Sequence, residues 1–347
     1  MSGFKPKAYT KYHPIIGYVY CENASVSIPH ERGSYKVVTN SDGIRSNKTY
    51  SKRNESNSFR ILLFGDSFTA ADSVKNEERF SDLLEEKMKN VEIINFGLSG
   101  TGTDQQFLLL REMGLQYDFD MVLLCPLLEN IRRNCARYRV AVDRDSEERV
   151  LVPKPFFKKN NENLSLFNVP VPKTRPRVSE ADREMLAETD WGGEINTYFV
   201  REGINQFLPF LKPFFLKILS FFGVSFHRDY LSPDSSGWQL MAAIICEFKR
   251  VIGTRPLVVC PLPYYLQIEG YECPSIYFNR FRSLEEVGGV FILDIFRHFA
   301  SLTNEQKRSC RWKRDIHYTP FAHAVVAKGL CFELEKLNLI PKECFPL

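Results

Sequence analysis

Short apolar runs recur along the chain and alternate with segments in which apolar residues recur every three or four positions. The apolar runs lie at 60–64, 91–96, 120–125, 256–261 and 290–293. Runs of this length are typical of strands that are buried on both faces of a parallel sheet. The segments with helical spacing lie at 76–90, 103–115, 236–252, 275–287, 296–307 and 320–337. This alternation, with short connections, predicts parallel strands joined by right-handed crossovers.

The predicted fold class is α/β, a three-layer α/β/α sandwich around a five-stranded parallel sheet. Two regions break the alternation. Residues 1–57 are polar and rich in turns, with β-like pieces such as 35–39, and predict an N-terminal β-rich lead-in that packs on the main domain. Residues 131–234 are rich in Pro, Lys, Arg and Asn, with one aromatic helix expected near 203–226. We predict that they form a large insertion in a main domain spanning 58–347.

The composition is that of an ordinary globular protein, with 347 residues of which 44% are hydrophobic and 25% charged. The net charge of +4 does not by itself indicate nucleic-acid binding. The charge is uneven, however, because residues 132–177 carry twelve Lys and Arg against five Asp and Glu. This excess indicates either a solvated insertion or a rim that attracts an anionic substrate.

The cysteine pattern and the N-terminus favour a cytoplasmic protein. The nine cysteines include no CxxC pair, which predicts reduced thiols rather than a disulfide framework. The first residues contain no apolar segment of a secretory signal. The segment 207–226 is strongly apolar, but Lys and Pro interrupt it, so it does not resemble a membrane span. We expect a buried or capping helix there, or peripheral contact with a membrane through 203–226.

Polar residues that can perform catalysis follow the first two predicted strands. Ser67 comes directly after the first strand, in the tripeptide Gly-Asp-Ser. A serine in that position can be presented as a nucleophile, although the same tripeptide also occurs in turns and helix caps. The second strand ends in a loop with glycines at 97, 100 and 102. This spacing matches neither the phosphate loop GxxxxGK(S/T) nor the dinucleotide-binding pattern GxGxxG. We therefore consider the N–H of Gly100 a candidate donor to an oxyanion.

Further candidates follow the third strand and precede the last helix. The amide of Asn130 can donate to an oxyanion or cap a helix. Arg132 and Arg133 follow it, and we expect them near the mouth of the site, where they would pair with a substrate carboxylate or phosphate. His317 has Asp315 two residues before it. Such a pair supplies the base that a serine nucleophile needs and the acid that fixes its tautomer.

These motifs together resemble those of the SGNH/GDSL hydrolase superfamily over about 58–130 and 255–337. GDSFT at 65–69 is similar to the first conserved block, NFGLSGTGTDQ at 95–105 to the second, and DIHYTPFAHAVVAK at 315–328 to the fifth. NSDGIR at 40–45 resembles the segment that precedes the first block in bacterial members from polysaccharide gene clusters.

The resemblance implies a flavodoxin-like fold and acyl transfer through an acyl-serine, with Ser67 as nucleophile, His317 as base and Asp315 as its orienting acid. The implied oxyanion donors are the N–H groups of Ser67 and Gly100 and the amide of Asn130. With Arg132 and Arg133 expected near the site, our hypothesis for the activity is hydrolysis of an O-acyl ester on a carbohydrate or glycoconjugate. An O-acyltransferase and a non-catalytic binding or assembly protein of the same fold remain alternatives.

The chain departs from the family pattern at two places. The usual Asp-x-x-His is Asp-x-His here, with Arg314 at the usual acid position. The usual Gly-x-Asn-Asp is replaced by Leu-Leu-Glu-Asn-Ile at 127–131, so either Glu129 or Asn130 stands at the oxyanion position. We prefer Asn130, because its amide can donate at neutral pH.

We expect no cofactor and no nucleic-acid partner. The six histidines form no HxxxH or HxH spacing, which argues against a metal enzyme. The expected partner is a small-molecule or carbohydrate ester.

Overall fold

A computed structural model of the chain describes residues 9–142, 149–160, 163–174 and 227–346. The strands in these ranges are β1 Thr10–His13, β2 Gly17–Tyr20, β3 Ser25–His30, β4 Gly33–Val38, β5 Phe59–Gly65, β6 Val91–Asn95, β7 Met121–Cys125, β8 Tyr138–Val142, β9 Arg149–Pro153, β10 Phe156–Asn160, β11 Asn163–Phe167, β12 Leu257–Val259 and β13 Val290–Ile292. The α-helices are α1 Ser67–Ala70, α2 Phe80–Lys87, α3 Thr103–Glu112, α4 Asn130–Cys135, α5 Ser236–Ile252, α6 Tyr265–Ile268, α7 Ser275–Arg282, α8 Phe296–Ala300, α9 Asn304–Ser309 and α10 Pro320–Leu337. Short 3-10 helices lie at Asn76–Glu78, Gly114–Gln116, Arg228–Tyr230, Ser283–Glu286 and Lys342–Cys344.

The central sheet has five parallel strands in the order β13-β12-β7-β5-β6. Each of them overlaps one of the five apolar runs, so the predicted α/β sandwich with a five-stranded parallel sheet is confirmed. The strand that comes first in the chain, β5, lies between β6 and β7. Because parallel strands end at the same edge of a sheet, the loops that follow these three strands meet there.

The sheet is apolar on both faces because each strand contributes to two cores. Successive side chains of a strand point to opposite faces, and the four central residues of β5, from Ile61 to Phe64, are fully buried. Leu62 and Phe64 join a core cluster that includes residues of α3 and α5. Ile61 and Leu63 join a second cluster that includes residues of α2 and α10. The sheet therefore forms the middle of three layers.

Helix boundaries follow local capping groups. The side chain of Thr319 accepts a hydrogen bond from the N–H of Ala322, 3.4 Å away, and Pro320 occupies the first turn of α10. The single helix predicted at 296–307 is instead two helices, α8 and α9. Thr303 separates them, because its side chain caps α9 by accepting from the N–H of Gln306 at 3.3 Å.

The region before the sheet forms two antiparallel hairpins, β1–β2 and β3–β4. Their buried side chains, among them Tyr20, Tyr35 and Val37, belong to the same core cluster as α3 and α5. These hairpins therefore pack directly on the main domain.

The region between α4 and α5 contains regular structure that the sequence pattern did not predict. Two antiparallel hairpins, β8–β9 and β10–β11, lie where we expected no strand, so that expectation is wrong. Phe157 of β10 is buried against Phe107 of α3, with ring centroids 5.9 Å apart. The aromatic helix expected near 203–226, and its membrane contact, lie outside the described residues. None of the helices that the structure does describe has the length and apolar character needed to cross a bilayer.

Candidate active site

Ser67, His317 and Asp315 form a continuous hydrogen-bonded chain. Ser67 is the first residue of α1, directly beyond the carboxyl end of β5, and is 6% exposed. His317 Nε2 lies 2.8 Å from Ser67 Oγ, and His317 Nδ1 lies 2.7 Å from Asp315 Oδ1. The backbone N–H of His317 also donates to Asp315 Oδ1, at 3.1 Å. This geometry allows the imidazole to take a proton from the serine while the carboxylate fixes its orientation.

The turn from β5 into α1 presents the serine. Asp66 caps the helix by accepting a hydrogen bond from the N–H of Phe68 at 3.0 Å. A Cβ at Gly65 would lie 2.8 Å from the carbonyl oxygen of Cys125 on the neighbouring strand, so no larger residue fits there. The helix that begins at Ser67 is only four residues long and ends in a left-handed residue, Ala71, at φ +63°.

A buried guanidinium holds the carbonyl end of this short helix. Arg45, which is 1% exposed, donates to the carbonyl oxygens of Ala70, Ala71 and Val74 at 2.6, 2.7 and 2.5 Å. Its Nε also donates to Oδ1 of Asn76 at 2.9 Å. Arg45 belongs to the NSDGIR motif at 40–45, and this role was not predicted from the motif.

The carboxylate of Asp315 is held by groups from outside its own loop. Ser73 Oγ donates to Asp315 Oδ2, and His30 Nε2 lies 3.6 Å from the same oxygen. Burial by itself raises the pKa of Asp315, but the hydrogen bond and charge of His317, together with the Ser73 hydroxyl, outweigh it and hold this pKa well below its ordinary value. Asp315 is therefore ionised at neutral pH and accepts a hydrogen bond from the N–H at His317 Nδ1, which leaves Nε2 to accept one from Ser67.

Asn130 provides a buried amide that is a candidate donor to an oxyanion. It is fully buried at the start of α4, and its Oδ1 accepts from Nη1 of Arg133 at 3.3 Å. Its Nδ2 has no hydrogen-bond partner among the described residues. Buried polar atoms are nearly always paired, so an unpaired donor near a nucleophile is what an oxyanion site requires before substrate binds. The alternative, Glu129, has its carboxylate 3.2 Å from Nη2 of Arg133, which leaves it an acceptor.

Arg133 does not lie where the sequence suggested. We expected its side chain at the mouth of the site, but the guanidinium is 10% exposed and points into the protein. Nη1 donates to Oδ2 of Asp66 at 2.7 Å and to the carbonyl oxygen of Thr101 at 3.2 Å. The side chain therefore links the segment that contains Asp66 to the loop that contains Thr101. Arg132, one residue earlier on α4, is only partly buried.

The glycine loop after β6 is covered by the insertion. Gly100 has φ +82°, a left-handed conformation that favours glycine, and its carbonyl oxygen accepts a hydrogen bond from Arg139 of β8. Lys154, which follows β9, is buried and donates to the carboxylate of Asp104 and to the carbonyl oxygen of Arg133 at 2.9 Å. Arg139 was not predicted as a site residue, although it lies in the basic stretch 132–177.

Comparisons with known proteins give similarity to solved structures alone. No family model matches the chain, and no curated protein matches it. One similar structure is a member of the lipolytic protein G-D-S-L family from Veillonella parvula, with 9% identity and a TM-score of 0.41 over 79% of this chain and 96% of that chain. Another is a lipase/acylhydrolase from Enterococcus faecalis, with 11% identity and a TM-score of 0.37 over 78% and 95% of the two chains.

A third similar structure is a catalytic mutant of an acetylxylan esterase from Geobacillus stearothermophilus. It has 13% identity and a TM-score of 0.39 over 82% of this chain and 96% of that chain. At identities and TM-scores this low, the likenesses carry no argument about function. The function of this chain has to be argued from its own site.

The position of Arg133 predicts that it contributes to stability. Replacing it in Arg133→Leu leaves Asp66 buried without its cation, which should lower the free energy of unfolding by about 3–5 kcal/mol. Adding Asp66→Asn should restore part of the loss, because the amide can still cap α1 and carries no charge. Urea unfolding followed by circular dichroism measures both changes. Arg308→Leu, at an exposed position of α9, is the matched control. An unchanged stability of Arg133→Leu would mean that this side chain faces solvent.

Proposed function

We propose that the protein is a serine-dependent hydrolase of acyl esters that acts on an O-acylated carbohydrate or glycoconjugate. The observation that carries the proposal is the hydrogen-bonded chain from Asp315 through His317 to Ser67. Nδ2 of Asn130, which has no hydrogen-bond partner among the described residues, supports it, because acyl transfer needs a donor for the negative charge that develops on the carbonyl oxygen.

The first half of the proposed reaction forms an acyl-serine. Ser67 Oγ attacks the ester carbonyl carbon while its proton moves to His317 Nε2. The negative oxygen of the tetrahedral intermediate accepts hydrogen bonds from the amide of Asn130 and from the backbone N–H groups of Ser67 and Gly100. The intermediate collapses as the carbon–oxygen bond to the leaving alcohol breaks, and His317 returns its proton to that alcohol.

The second half releases the acid. A water molecule gives a proton to His317 Nε2 and attacks the acyl-serine carbonyl, and the new tetrahedral intermediate expels Ser67 Oγ, which regains the proton. In both halves Asp315 stays ionised and stabilises the positive charge that His317 carries transiently. If a sugar hydroxyl replaces water in this step, the same residues perform O-acyl transfer, which is the nearest alternative.

An anionic substrate is favoured by the basic composition of residues 132–177 and by the position of one arginine in this stretch. The stretch carries twelve basic residues against five acidic ones in the sequence. Arg139 donates a hydrogen bond to the carbonyl oxygen of Gly100, in the loop that holds a candidate oxyanion donor. Arginine is well suited to pair with the carboxylate or phosphate of an acidic sugar. We therefore propose that an acidic saccharide ester is preferred over a neutral one.

The nucleophile can be tested with an activity-based probe. Ser67→Ala should abolish hydrolysis of a p-nitrophenyl ester and labelling by a fluorophosphonate, because it removes the hydroxyl that lies 2.8 Å from His317 Nε2. Ser27→Ala, on the exposed side of β3, is the control and should be labelled like the wild type. If the wild type is not labelled, the chain is a binding or assembly protein and the proposal is wrong.

The role of Asn130 predicts a different kinetic result. Asn130→Ala should lower kcat by about 10²–10³-fold, as expected for the loss of one oxyanion donor, with a smaller change in KM. Asn304→Ala on the exposed surface of α9 is the control, and thermal melts followed by circular dichroism check that both variants are folded. A wild-type kcat for folded Asn130→Ala would exclude this amide as a donor.

The proposed substrate class predicts a dependence on salt. Raising the salt from about 0.01 M to 1 M shortens the Debye length from about 30 Å to 3 Å. The kcat/KM for an acetylated acidic oligosaccharide should therefore fall, while that for a neutral one should not. Arg139→Gln should make the salt dependence of kcat/KM for the acidic substrate more like that for the neutral one. An equal salt dependence of kcat/KM for the two substrates would contradict an anionic substrate.

Measuring acetate release with and without added polysaccharide separates hydrolysis from transfer.

A further inference from the structure

The tip of the hairpin β3–β4 contacts the loop that carries Asp315. Oε1 of Glu31 accepts a hydrogen bond from the backbone N–H of Lys313 at 2.8 Å, and Oε2 accepts from that of Arg314 at 3.1 Å. One carboxylate thus binds two consecutive backbone donors. The second of these belongs to the residue directly before Asp315.

The two neighbours of Glu31 in the chain, His30 and Arg32, contact Trp312, which directly precedes Lys313 in the same loop. The guanidinium of Arg32 lies over the ring of Trp312, 5.0 Å from its centroid. The ring of His30 packs edge-on against Trp312 from another direction, with centroids 4.6 Å apart. Three consecutive residues of the hairpin tip therefore hold residues 312–314.

The hairpin also approaches the acid itself. The ring of His30 is 10% exposed, and its Nε2 lies 3.6 Å from Asp315 Oδ2. The other carboxylate oxygen, Oδ1, is bound by His317 from within the loop. The loop is closed at its base by the hydrogen bond from the N–H of Thr319 to the carbonyl of Cys310 at 3.0 Å. The hairpin therefore contacts the part of the loop that lies between Cys310, which is held by Thr319, and the carboxylate-bearing residue Asp315.

We infer that the tip of the hairpin β3–β4, through Glu31, is a positioning element that holds Asp315 at the angle His317 requires. The inference rests on the proposed function, because it assigns Glu31 a role in orienting the base of that reaction. The acid is only two residues before the histidine, so the short loop depends on external contacts to keep its backbone in place. Glu31 contacts neither the candidate nucleophile nor the base, and acts through Asp315.

Glu31→Ala tests the inference. It should lower kcat for the p-nitrophenyl ester by about tenfold with KM unchanged, because displacing a catalytic group by a fraction of an ångström reduces its efficiency without altering substrate contacts. Glu31→Gln keeps one acceptor oxygen and should restore part of the activity. Lys36→Ala, on the exposed side of β4, is the control and should match the wild type.

A double-mutant cycle separates positioning from general support of the fold. In an Asp315→Ala background, where the acid is already missing, Glu31→Ala should cause no further loss of kcat. A further tenfold loss would overturn the inference, as would an unchanged kcat for Glu31→Ala alone in an active enzyme. If the wild type itself shows neither turnover nor fluorophosphonate labelling, the proposed function fails first, and this result is distinct from an active, labelled wild type that is insensitive to Glu31.

Discussion

The buried ion pair between Asp66 and Arg133 joins the three loops that surround Ser67. Asp66 follows β5, Arg133 lies on the helix after β7, and Arg133 also binds the carbonyl of Thr101 in the loop after β6. Burial raises the pKa of Asp66, and the nearby charge of Arg133 opposes this effect. A buried pair of this kind is tolerated only when further hydrogen bonds compensate both groups for the loss of water. Those further bonds join Asp66 to the N–H of Phe68, the residue after the candidate nucleophile, and Arg133 to Oδ1 of Asn130, the candidate oxyanion donor.

The sheet and two of the catalytic candidates could be predicted because their signals are local. A strand buried on both faces is a continuous apolar run, and such runs are short enough to be recognised directly. Ser67 lies three residues after the end of one of these runs, and His317 lies three residues before the first residue of the capped helix α10. The hairpins between 138 and 167 were missed because their Lys and Arg residues suggested a solvated segment. A hairpin that covers another surface can keep one face in water, so such a composition is compatible with strands.

Other features depend on contacts that a single sequence does not show. Arg132 and Arg133 are adjacent in the chain, but neighbouring positions on a helix point in directions about 100° apart. Which of them faces inward is decided by the packing of α4, so Arg133 pairs with Asp66 and not, as we expected, with a substrate anion at the mouth of the site. Ser73 is 242 residues from its partner Asp315, and Glu31 is 282 residues from Lys313. Only the folded chain brings such residues together, and no local pattern marks them.

The turn that follows the helix beginning at Ser67 has a strained backbone, and it places a hydroxyl group against Asp315. Ala71 and Ser73 both have positive φ, +63° and +75°, which costs roughly 1–2 kcal/mol for a residue other than glycine. Arg45 helps to hold this turn, because it donates three hydrogen bonds to the carbonyl oxygens around these residues. The strained turn directs the hydroxyl of Ser73 to Asp315. The short helix that begins at Ser67 is thus followed at once by a group that binds the acid, so one segment of chain positions both ends of the hydrogen-bonded chain.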